Sequence, residues 1–190
     1  MIVKGWHGLV GTFTGVVLLT VVALPAAVLA AWVLARRRRA AGWTSSWAWR
    51  ASVAELGMVY GTVPWVWMIL LPGSRAGVGT PRVSLVPLRD LLAVLVAGPV
   101  TATVQLVGNL LVFAALGFFA PVRCAALASL PRVLALGAAC SVGVETAQYV
   151  LRLDRVSSVD DVLVNAAGAG LAAWASRRWW RADCRWAWIR

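Results

Sequence analysis

Residues that carry chemistry are scarce in this chain. It holds one histidine, His7, one lysine, Lys4, three cysteines and seven acidic residues among 190 positions. A lone histidine near a helix end reads as an interfacial group. It builds no metal site by itself, because zinc takes three or four protein ligands. No serine–histidine or cysteine–histidine arrangement and no phosphate-binding glycine loop occurs. Cys124, Cys140 and Cys184 show neither metal-ligand spacing nor a CxxC pair, so they read as small hydrophobes. No metal and no cofactor is expected.

What is abundant is apolar. The hydrophobic fraction is 61% and the charged fraction 13%, against roughly 45–50% and about 25% for soluble domains. Several runs reach the ~20 residues that span a bilayer. The expected fold is all-α: a single transmembrane domain over residues 1–190, a polytopic membrane helix bundle. About five transmembrane helices are expected, near residues 9–35, 52–71, 103–121, 133–151 and 159–180. One short interfacial or re-entrant segment lies near residues 88–100. The first run, Leu9 to Ala35, is too long for a signal peptide and has its charge behind it; Pro25 is placed to kink it. Residues 36–50 read as a basic, tryptophan-rich loop on an anionic membrane surface. Glu55 then falls in the first turn of the second helix, complementing its dipole.

The net charge of +11 does not point to nucleic acid. The arginines bunch at the ends of apolar runs, as topology-setting charges do, and no basic folded face is evident. With residues 36–50 inside, twelve basic residues fall inside and six outside. The expected protein is multi-pass in a bacterial cytoplasmic membrane, N-terminus outside and C-terminus cytoplasmic.

Four of the seven acids, Glu145, Asp154, Asp160 and Asp161, lie in one stretch between two apolar runs. Ionisable residues at or inside a span are costly and mark sites. On the expected boundaries Asn109, Glu145 and Asn165 each sit six residues from the outer end of their helix, roughly 9 Å deep at 1.5 Å per residue. Glu145 and Gln148 share a face, as do Asp161, Asn165 and Gly168. Ser157 or Ser158 caps the fifth helix, with Asp160 and Asp161 in its first turn. Arg155, Arg152 or Arg89 from the outer loops can partner Glu145. The plainer account is interhelical hydrogen bonding, worth about 0.6 kcal/mol per group.

These residues resemble the VanZ-like family of small bacterial membrane proteins, over residues 83–170. GNLLVFAALGFFAP, residues 108–121, keeps Gly108, Asn109, Phe113, Gly117 and Pro121 of the family pattern, with Ala115 at a usual proline. ExxQ follows at Glu145 and Gln148, then Arg155, then DxxxNxxG at Asp161, Asn165 and Gly168. VSLVPLRD, residues 83–90, is similar to a further block, with Ser84 at a usual asparagine. The resemblance implies a cell-envelope membrane protein and no cofactor. Some relatives are linked with resistance to glycopeptide antibiotics of the teicoplanin type.

The leading expectation is a module that binds or handles a membrane lipid, a lipid-linked envelope precursor or a lipophilic glycopeptide. Its ligand-binding residues would be Asn109, Glu145, Gln148, Arg155, Asp161, Asn165 and Arg89. The arginines would hold anionic groups. The rival from another class is an intramembrane enzyme, with Glu145 as general base and Asp161 as its partner. A third is a structural or assembly partner, in which the polar layer serves packing alone.

Overall fold

A computed structural model describes residues 11–74, 76–78 and 82–180 of the chain. Lys4, His7, Arg75, Cys184 and the arginines after residue 180 lie outside the described residues.

Helix α1, Phe13–Ala40, starts at Thr12, whose hydroxyl accepts from the Gly15 N–H at 3.1 Å. It runs through Pro25 as one helix and carries the arginines as its last turns rather than in a loop. Cations there complement the negative helix end. Gly42, at φ 87°, then reverses the chain. Helix α2, Ser45–Ile69, follows directly, so the expected 15-residue loop shrinks to Ala41–Thr44. Glu55 consequently sits in the third turn of α2, not the first.

The turn-rich segment after α2 contains strand β1, Arg82–Ser84, and leads to helix α3, Arg89–Val96. The short apolar segment is thus a helix, and none of its residues is buried. Gly98, at φ 116°, breaks the chain, and Pro99 opens helix α4, Pro99–Val112. Helix α5, Ala114–Arg123, continues it after an interruption at Phe113. The helix therefore breaks even though alanine replaces the family's proline at 115. Helix α6, Leu130–Val150, strand β2, Val156–Ser158, and helix α7, Val159–Ser176, complete the described fold. A 3₁₀ turn, Arg177–Trp179, stands where α7 was expected to continue.

The fold is mostly helical. Among the described residues three helices are long and apolar enough to cross a membrane: Phe13–Ala40, Pro99–Arg123 and Leu130–Val150. The strands pair in parallel, Arg82 with Val156 and Ser84 with Ser158. The all-α expectation omitted this ladder, because three residues carry no periodicity to read.

Helix α7 is the centre. Helices α4, α5 and α6 pack on it, while α1 packs on α2 and α2 on α5. The residues that α7 buries are mostly Ala, Gly, Ser and Asn, the composition that lets membrane helices approach closely. Two glycines are required by that approach. A Cβ on Gly168 would overlap the Leu110 carbonyl, and one on Gly117 would overlap that of Ala169. Both belong to the motif blocks read from the sequence.

Candidate functional site

The site is built where α6 ends and α7 begins. Helix α6 stops at Val150, and the chain turns through Arg152 and Asp154, both at positive φ without being glycine. Backbone bonds hold the turn: Gly73 donates to the Leu153 carbonyl at 2.9 Å, and Gly77 to that of Arg152 at 2.9 Å. The loop after α2 is thereby laced to the exit of α6.

Glu145 reaches across this turn. Its Oε2 accepts from the Ser158 N–H at 3.0 Å, and its own carbonyl accepts from the Ser157 hydroxyl at 3.0 Å. Of the two serines, Ser158 caps α7: its Oγ accepts from the Asp160 N–H at 3.2 Å. The same hydroxyl donates to Asp90 Oδ2 at 2.6 Å. That hydrogen bond, helped by the neighbouring Ser84 hydroxyl, holds the Asp90 carboxyl below its usual range.

Asp160 does more than complement a dipole. It is 4% exposed. Its Oδ1 accepts from the Leu88 N–H at 2.6 Å, and its Oδ2 from those of Asp90 and Leu91, both at 3.0 Å. A carboxylate from α7 therefore caps α3 and fastens it to the bundle. Sequence reasoning missed this role. The available signal was negative: the residue before α3 is Leu88, which cannot cap a helix, so the acceptor had to come from elsewhere.

Asn109 donates its amide to Asp161 Oδ1. Gln148 donates to the last-turn Ile69 carbonyl of α2 at 2.8 Å. Asn165, 2% exposed, donates to the Ser141 hydroxyl at 2.8 Å, but its carbonyl oxygen is buried with no partner. A buried acceptor left without a donor costs about 1–3 kcal/mol.

Asn109, Glu145, Gln148, Arg155, Asp161 and Asn165 all line one open cleft of about 440 Å³, joined by Gln105 and Asp154. Arg89 does not line it; it opens α3 and is exposed. The cleft lining thus includes the carboxylates of Glu145, Asp154 and Asp161 and the guanidinium of Arg155. Asn109 and Asp161 also border a narrow crevice beside α3, walled by Leu91, Val94, Leu95 and Leu106. Among the described residues no group of three or more His, Cys, Asp or Glu side chains is arranged to hold a metal ion.

A second acid centre lies away from the cleft. Glu55 of α2 pairs with Arg38 of α1 and Arg123 of α5, and Arg38 also donates to the Ser52 hydroxyl at 2.7 Å. Glu55 and Ile69 are 14 residues apart on α2, so about 21 Å separates the two polar layers along that helix.

A family model described as VanZ/LLP1 matches residues 58–180. The match takes in every motif block and reaches back into α2. No curated protein and no solved structure matches the chain.

Proposed function

The chain belongs to the VanZ/LLP1 family, whose model covers well over half of it, and from that premise we propose that the cleft binds the polar head of an envelope lipid, a lipid-linked precursor or a lipophilic glycopeptide. The observation that carries this reading is the Asn165 carbonyl, buried at the cleft without a donor. A ligand hydroxyl or amine would supply that donor. The Glu145 and Asp161 carboxylates in the lining favour the same chemistry: a head group with hydrogen-bond donors, with Arg155 taking whatever anionic group accompanies it.

In this reading α1, α2, α4 with α5, α6 and α7 all cross a bacterial cytoplasmic membrane, giving five spans. The N-terminus is outside, and the cleft lies below the outer surface. Helix α7 carries two aspartates in its first turn, and its burial among α4, α5 and α6 supports its crossing despite them. Cysteine at exposed Val78 should react with an impermeant thiol reagent in intact cells, and cysteine at Ser45 should not. Reversed labelling would put the cleft on the cytoplasmic side.

The test of binding is Asn165→Leu, which removes the orphan acceptor at similar volume. Wild-type protein purified from its membrane should carry a polar lipid or precursor enriched over the membrane average by mass spectrometry, and the variant should lose it. No enrichment in the wild type sinks the reading. The enzyme alternative rests on Glu145 and Asp161 facing the same cleft; it requires Glu145→Gln to abolish function while the ligand is retained.

A further inference from the structure

The hairpin of α1 and α2 carries a second feature, far from the cleft. Leu24, Val28, Trp32 and Arg36 follow one another at intervals of four along α1, so they form one stripe. With Trp49 and Tyr60 of α2, the first three line an apolar groove of about 830 Å³. The groove runs into a basic cup of about 580 Å³ formed by Arg36, Arg39, Trp43 and Ser45. The join is explicit: the Arg36 guanidinium lies 4.6 Å above the Trp32 ring. Leu24 and Arg36 are twelve residues apart, about 18 Å along the helix, close to one leaflet of a hydrocarbon core ~30 Å thick.

Charge says what fits. Arg38, between the two cup arginines in sequence, turns instead to Glu55 and Ser52. Among the described residues Arg36 and Arg39 meet no carboxylate. Two unneutralised guanidiniums, a serine hydroxyl and a tryptophan at the mouth of an apolar channel match an acyl chain ending in a phosphate. We propose that this hairpin binds one anionic glycerophospholipid, its phosphate held by Arg36, Arg39 and Ser45 and one acyl chain lying between α1 and α2. The site is independent of the cleft and shares no residue with it.

The full chain, purified in detergent, can be titrated with phosphatidylglycerol or with phosphatidylcholine of the same chains and read by native mass spectrometry. Phosphatidylglycerol should bind roughly thirtyfold more tightly, the scale of about 1 kcal/mol for each of two arginines facing a net anionic rather than a zwitterionic head group. Arg36→Gln with Arg39→Gln should erase that preference. Val28→Trp, which fills the groove and leaves both arginines, should weaken phosphatidylglycerol as well. Trp32→Leu provides a milder variant should the double change disturb folding, and it should reduce the preference in part. Arg177→Gln with Arg178→Gln should change nothing. Equal binding of the two lipids overturns the proposal. So does an effect of the Arg177 and Arg178 changes equal to that of the cup arginines, because binding would then follow overall charge. So does indifference to Val28→Trp.

Discussion

The two acid-centred layers of this protein are built differently. Around Glu55, one carboxylate meets two guanidiniums, and those arginines come from two other helices. Around the cleft, the Glu145 and Asp161 carboxylates line the same space as Arg155, and a buried amide oxygen has no donor. The first layer is internally matched, so its chemistry is spent on joining α1, α2 and α5. The second leaves one acceptor over, the Asn165 oxygen, and an unmatched acceptor beside a cleft is what a ligand can satisfy. A charged group inside an apolar bundle is thus not by itself a site. The informative feature is what remains after the partners are counted.

Breaking the matched layer should cost most. Glu55→Leu strands Arg38 and Arg123 in an apolar setting and should destabilise the protein by about 2 kcal/mol, discounted from fully buried pairs because the carboxylate is partly exposed. Thermal melting in detergent measures this, and an unchanged midpoint would show that the network is idle. Next in size is Asp160→Ala, which leaves three N–H groups of the α3 start without their acceptor, at about 1–3 kcal/mol. Hydrogen exchange should rise at residues 88–91 and much less in α6.

The unmatched layer should respond the opposite way. Asn165→Leu should leave melting unchanged or slightly raised, since it removes an unpaired acceptor along with one hydrogen bond, while bound ligand disappears. A large loss of stability there would make the cleft another packing layer and dissolve the contrast. The smallest effect concerns Asp90. Its carboxyl titrates below its ordinary value in the folded protein, so its contribution is complete above that ordinary value and is lost as pH falls through the lowered one. Asp90→Asn should lower the melting point slightly at neutral pH, where that contribution is complete, and flatten the acid limb of the profile.

Much of this was legible in the sequence. Helix positions followed from apolar length, and spacing placed Asn109, Glu145, Gln148, Asp161 and Asn165 on faces that meet. What stayed hidden depended on partners distant in the chain. Glu55 read as a dipole acid because α2 was started at Ser52. The true start, Ser45, is set by α1 keeping its arginines helical, and only that register brings Arg38 to Glu55. Arg89 was grouped with Arg155 on charge alone, yet the left-handed turn at Leu88 places it outside the cleft. The β1–β2 ladder and the Asp160 cap join segments whose sequences say nothing of each other.

The cap on α3 also has a consequence for synthesis. Leu88 and the carboxylate that receives its N–H are 72 residues apart. At 5–20 residues per second, α3 waits roughly 4 to 14 seconds on the ribosome before its acceptor exists. During that interval its apolar side chains and free N–H groups have only lipid headgroups or the insertion machinery to rest against. The cleft therefore closes last, when α7 enters. A nascent chain truncated before Asp160 should leave residues 82–96 open to protease, and one extended past α7 should protect them.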